Sequence, residues 1–181
     1  DSVRLAEAIQ SALVDLAGPT PIHAPAERLK GRICLVTGAT SGIGRATALM
    51  MASEGASAVI VTGRRQALGQ SLAEYIERLG TDALFVAADV TQEADMARTI
   101  EKTMARFGRI DAVFNNAGFQ ERRAPLAEQT DDVYARVFDT NVRAVFYALR
   151  HEIPALLTSG GGTIVNNTSV SGGRNPNPGL A

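Results

Sequence analysis

Residues 33–44 read Ile33-Cys34-Leu35-Val36-Thr37-Gly38-Ala39-Thr40-Ser41-Gly42-Ile43-Gly44, and this stretch decides the fold. Four apolar residues run into a glycine turn, and residues 46–56 behind it have helical composition. A strand that turns sharply into a helix presents free backbone N–H groups at the helix start. Those donors and the helix dipole both favour an anion such as a pyrophosphate. The glycines divide the work: Gly38 lets the chain turn, Gly42 lets a ligand approach the backbone, and Gly44 lets the helix pack closely. The spacing is G-x-x-x-G-x-G rather than G-x-G-x-x-G. A glycine-rich turn without a ligand is the competing reading of so short a motif.

Outward from this turn the pattern repeats. Apolar runs at 58–61, 83–88, 111–115 and 163–166 alternate with helical stretches at 66–79, 93–107 and 131–157. The runs are continuous rather than alternating, which is the habit of parallel strands covered on both faces. Strand–helix alternation at this spacing implies right-handed βαβ units. The expected fold class is α/β, a doubly wound parallel sheet of which five strands are present. Upstream, Leu5, Ile9, Leu13 and Leu16 mark an amphipathic helix over 1–17, stopped by Gly18-Pro19. Residues 18–30, with Pro21 and Pro25, read as a proline-rich linker, and the domain proper is expected over 31–181.

Composition narrows the function. The chain has 181 residues, 18 Lys and Arg against 19 Asp and Glu, so no basic excess favours nucleic acid. One cysteine, Cys34, and two dispersed histidines, His23 and His151, give no disulfide framework and no metal site. No apolar run approaches the ~18 residues that span a bilayer, so no membrane partner is expected. The start lacks a secretory pattern and an initiator Met, which reads as a soluble cytoplasmic protein cut from something longer.

The end of the second strand separates the cofactors. In NAD-binding βαβ units an acidic side chain there accepts bonds from the adenosine ribose hydroxyls. Here the residues are Thr62-Gly63-Arg64-Arg65. A guanidinium holds a 2′-phosphate through paired charge-assisted bonds, so NADP is favoured over NAD, with Arg64 ahead of Arg65 as the contact. The alternative is that both arginines solvate the start of the next helix.

Taken together, Thr37-Gly38-x-x-x-Gly42-Ile43-Gly44, Asp89-Val90, Asn115-Asn116-Ala117-Gly118, Asn141 and Ser169 resemble the short-chain dehydrogenase/reductase family, from about Leu29 to the end of the chain. The 3-oxoacyl-[acyl-carrier-protein] reductase type is near, and so are sugar and steroid dehydrogenases. The resemblance implies a Rossmann-type sheet and an NAD(P)-dependent oxidoreductase that acts on a small-molecule carbonyl or alcohol. It implies that Thr37, Gly38, Ser41, Gly42, Ile43 and Gly44 cradle the cofactor, that Asp89 bonds the adenine amino group beside the Val90 backbone, and that Ala117 and Gly118 let the chain pass the ribose. It further implies that Asn115 ties neighbouring strands and meets the cofactor only through its backbone, that Asn141 holds a relay water, and that Ser169 is the catalytic serine, with Thr168 and Ser171 as nearby competitors. A homo-oligomer built on the 131–157 helix is implied as well. That helix carries Val133, Val137, Val142, Val145, Phe146 and Leu149.

The family's tyrosine, followed four residues later by lysine, is not found. Tyr75, Tyr134 and Tyr147 are followed at that spacing by Leu79, Phe138 and His151. The resemblance puts the pair just past Ala181, so the 181-residue chain alone is expected to be inactive. A non-catalytic dinucleotide-binding sensor or scaffold is the rival reading. A methyltransferase fits less well, because such enzymes bind no pyrophosphate.

Overall fold

The computed structural model describes residues 26–169. The helix expected over 1–17, most of the proline-rich segment and residues 170–181 lie outside the described residues.

Strands β1 (Ile33–Thr37), β2 (Ala58–Gly63), β3 (Asp82–Ala87), β4 (Ala112–Asn115) and β5 (Thr163–Asn166) form one parallel sheet in the order β3-β2-β1-β4-β5. Helices α1 (Gly42–Ser53), α2 (Gln66–Arg78), α3 (Glu93–Phe107), α4 (Asp131–Phe138) and α5 (Ala144–Thr158) connect them. Successive strand side chains point to opposite faces, which explains why the strands are apolar throughout. Cys34, Val36, Val59 and Val61 pack under Leu49 of α1 and Leu72 and Ile76 of α2. Ile33, Leu35, Ala58 and Ile60 pack on the other face with Ile100 of α3 and Leu156 of α5. The chain winds outward from β1 to β3, then crosses back to β4. The carboxyl ends of β1 and β4 therefore flank a topological switch point, where open α/β sheets hold their ligands.

Three sequence expectations are corrected. The helix read at 46–56 begins at Gly42 and ends at Ser53, because the glycine loop passes straight into it and Gly55, at φ +84°, stops it. The helix read at 131–157 runs without a gap from Asp131 to Thr158, but it is not uniformly α: a π turn, Asp139–Arg143, lies between α4 and α5. The linker read at 18–30 is not free at its end. The buried Glu54 carboxylate accepts bonds from the amides of Ala26 (3.2 Å) and Arg28 (3.4 Å) and from the Arg28 guanidinium (2.6 Å). Leu29 also packs on the core, so the folded unit extends back at least to Ala26.

The apolar load on the 131–157 segment also splits. Val133, Val137, Val145 and Leu149 are half-buried, and Ala144, Ala148 and Leu156 are buried. Tyr134, Phe138, Val142, Phe146, Ile153 and Leu157 form an exposed apolar face. Among the described residues no helix is long and apolar enough to cross a membrane.

Candidate functional site

A cleft of about 390 Å³ opens at the carboxyl ends of β1 to β4. Its walls are the β1–α1 loop, residues 63–65, residues 88–90 and residues 116–119, closed on one side by Arg136 and Thr140. The strand ends are stitched together by side chains. Thr37 is buried, and its Oγ1 accepts from the amides of Asn116 (3.0 Å) and Ala117 (3.1 Å). The Asn116 side-chain Nδ2 donates back to the Thr37 carbonyl (3.2 Å). Gly38 lies at φ +64°, and a Cβ there would stand 2.7 Å from the Ala117 Cα. The turns after β1 and β4 are therefore in backbone contact, at a distance only glycine permits.

Ser41 is the N-cap of α1, yet its side chain makes no capping bond. The amides of the first turn are left for an outside acceptor, with the positive end of the helix dipole behind them. Gly42 lies at φ +53°, and a Cβ there would meet open space. Ile43 beside it is 64% exposed. This is a cradle shaped for an anionic group brought close to the backbone.

The two arginines after β2 part ways. Arg65 donates from Nε (3.1 Å) and Nη2 (2.9 Å) to Thr40 Oγ1, and also to Ser41 Oγ, so it lies across the glycine loop. Arg64 is exposed, with Nη1 4.0 Å from Asp89 Oδ2. The other Asp89 oxygen accepts from the amide (3.0 Å) and hydroxyl (2.8 Å) of Thr91, forming a turn into α3. Val90 lines the cleft next to it. Across the cleft the Arg136 guanidinium sits 3.9 Å from the centre of the Phe119 ring. Sequence reasoning passed over Arg136, Phe119 and Thr140, because the two sides of the cleft meet only in space.

Behind the cleft, the buried Asn115 Nδ2 donates to Glu152 Oε2 (2.9 Å) and to Asn166 Oδ1 (3.1 Å), joining β4, α5 and β5. Asn167 continues the seam, donating from its amide to the Asn115 carbonyl (2.8 Å) and from Nδ2 to Asn116 Oδ1 (3.0 Å). Ser169 follows two residues later and is exposed. Asn141 sits in the π turn. Its Oδ1 accepts from the Phe119 amide and its Nδ2 donates to the Phe119 carbonyl, both at 2.8 Å. Both polar atoms of the Asn141 side chain are thus engaged by the Phe119 backbone, each with one further hydrogen-bonding position. π turns of this kind recur at functional sites. Cys34 is no nucleophile: burial, aided by Asp111, pushes its thiol up to about 12.

The parallel order, the switch-point cleft and the uncapped α1 define a Rossmann-type nucleotide-binding fold. The family model for the short chain dehydrogenases matches residues 32–181, and the chain belongs to that family. It is 48% identical over 145 residues to an A-factor type γ-butyrolactone 1′-reductase (1S-forming) of Streptomyces virginiae, covering 80% of this chain and 56% of that protein. It is 37% identical over 145 residues to a cyclohexanol dehydrogenase of an Acinetobacter species, covering 80% of this chain and 57% of that one. A crystal structure of NAD+-bound xylitol dehydrogenase superimposes with a TM-score of 0.80 at 35% identity, over 84% of this chain and 58% of that one. The chain thus spans a little over half the length of the relatives it matches.

Proposed function

We propose that this chain is the nucleotide-binding part of an NADP-preferring oxidoreductase that moves a hydride between a nicotinamide and a small carbonyl compound or secondary alcohol. The uncapped amides of α1 beside Arg64 and Arg65, with no carboxylate at the end of β2, are the observation that carries this reading. One relative is named a γ-butyrolactone 1′-reductase and another a cyclohexanol dehydrogenase, which supports the substrate class. The cradle fits a dinucleotide. Gly38, Gly42 and the α1 amides would hold the diphosphate, residues 88–90 and Ala117-Gly118 would flank the adenosine, and Arg64 would meet the 2′-phosphate. When bound, the nicotinamide supplies or accepts the hydride. Ser169 donates its hydroxyl hydrogen to the substrate oxygen and steadies the charge that develops there. None of the three tyrosines lines the cleft. The exposed face from Tyr134 to Leu157 supports a homo-oligomer, since apolar patches of this kind drive association.

Titration of the complete gene product with NADPH and NADH tests the reading. A charge-assisted phosphate contact of about 1.5–3 kcal/mol gives NADPH an advantage of roughly tenfold or more. Arg64→Ala is expected to remove most of it while leaving NADH affinity nearly unchanged. Equal affinities in the unaltered protein overturn the NADP preference. Tight binding with no turnover of any alcohol or ketone would make the protein a nucleotide sensor instead.

A further inference from the structure

The buried seam behind the cleft contains an unbalanced group. Glu152 lies in the middle of α5 with none of its surface exposed. Its Oε2 accepts from Asn115 Nδ2, but its Oε1 has no partner, and neither does the Asn115 Oδ1. Two acceptors are thus orphaned on two residues that are already bonded to each other. An unpartnered buried acceptor costs free energy on the order of 1–3 kcal/mol, and a buried unpaired charge costs more. Among the described residues no cation pairs with Glu152. The charged groups that α3 and α5 bring together, Glu93, Arg150 and His151, pair with one another. Asp111 at the far end of β4 is held by Arg32 and Arg109. From β4 and β5, the neutral Asn115 and Asn166 are what reaches this site.

A proton on Oε1, shared with Asn115 Oδ1, would satisfy both acceptors. A carboxylic acid and a primary amide form a cyclic pair in which the amide N–H donates to the carbonyl oxygen of the acid and the acid O–H donates to the amide oxygen. We propose that Glu152 is a neutral carboxylic acid paired in this two-bond manner with Asn115, and that the pair is a positioning device for the cofactor loop and the Ser169 strand. Asn115 then uses every hydrogen-bonding group of its side chain: one N–H to Glu152, one N–H to Asn166, and Oδ1 accepting from Glu152. That locks the carboxyl end of β4 to that of β5. The 116–118 turn leaves from the first of these ends and Ser169 from the second. Burial pushes the Glu152 carboxyl up to about 7, against the opposing effect of the Asn115 bond, in keeping with a proton retained at Oε1.

The effect on the reaction rests on the oxidoreductase reading; the protonation state does not. The test compares Glu152→Gln and Glu152→Leu with the unaltered complete gene product. Glutamine rebuilds both bonds as an amide–amide pair at any pH, so NADPH affinity is expected to stay within about threefold. Leucine strands the Asn115 amide, and affinity is expected to fall about tenfold. In the infrared, the unaltered protein minus the Gln variant is expected to show the C=O stretch of a protonated buried carboxyl. The unfolded chain ionises this group near 4.5 and the folded chain near 7, so the unfolded state binds fewer protons between them. The melting temperature should therefore fall as pH rises through that window, and the Gln variant should lose that slope. A carboxylate band in place of the acid band, or the same slope in the Gln variant, overturns the proposal. Absence of nucleotide binding in the unaltered protein overturns the functional reading alone.

Discussion

Gly44→Val is expected to unfold the site and to destabilise the domain by roughly 3 kcal/mol, the upper range for overpacking a tight interior. A Cβ at this position would stand 2.4 Å from the Gly38 carbonyl oxygen, 2.9 Å from the Gly38 carbon and 2.6 Å from Asn116 Nδ2. Two of those atoms are backbone, and the third is held by its bond to the Thr37 carbonyl. Nothing there can swing aside, so α1 must move off the loop and take the cradle amides with it. Gly42→Ala gives the contrast. Its Cβ would meet no protein atom, so the cost to folding is the positive φ alone, about 1–2 kcal/mol. Its Cβ would instead occupy the space a diphosphate needs. Urea unfolding should therefore single out Gly44→Val, whereas nucleotide titration should find both variants impaired. A Gly42→Ala protein that binds NADPH as well as the unaltered protein does would remove the ligand from this loop.

The same contacts show which parts of the molecule could be read in advance. Apolar runs such as 33–36 and 58–61 were legible as strands because a sheet covered on both faces makes every position apolar. The glycine loop was legible because three backbone requirements fall within seven residues. The π turn at Asp139–Arg143 was not, since one extra residue per turn leaves the apolar content of a helix almost unchanged while it rotates Asn141 onto Phe119. Sequence ranks Arg64 ahead of Arg65 as the phosphate contact, but it does not reveal that Arg65 lies against the hydroxyls of Thr40 and Ser41 on a different loop. Glu152 reads in sequence as an ordinary charged helix residue, because its partner Asn115 lies 37 positions away. The anchoring of Ala26 and Arg28 by Glu54 was hidden for the same reason: proline content argued for a linker, and a single buried carboxylate overrides it.

At the opposite end of the sheet, Asp111→Ala is expected to cost about 2–3 kcal/mol, because it leaves the buried Ile33 amide without its charged acceptor and removes the anion between two half-exposed guanidinium groups. Its side chain is almost fully enclosed. One oxygen accepts from the Ile33 amide at 2.8 Å, and the guanidinium groups of Arg32 and Arg109 close over the carboxylate. Its own backbone completes a clasp, donating to the Ile33 carbonyl and accepting from the Thr163 amide, both at 2.9 Å. β1, β4 and β5 therefore meet at one residue. Burial alone would raise this carboxyl, but the Ile33 amide and the two arginines outweigh it and hold the group below the ordinary carboxylate range. The sign for stability follows: as pH falls, the unfolded chain takes up the proton first, so the contribution is present above pH 3.8 and drains away below it. The gap in urea midpoint between the unaltered protein and Asp111→Ala should accordingly be wide at neutral pH and should narrow as pH falls below 3.8. Arg32→Ala should cost only about 1 kcal/mol, since its guanidinium is half-exposed and Arg109 remains in place. Because the clasp lies at the amino ends of the strands and the cleft at the carboxyl ends, the fraction of Asp111→Ala that stays folded should bind nucleotide with unchanged affinity. A weakened affinity in that folded fraction would mean that the two ends of the sheet are mechanically coupled.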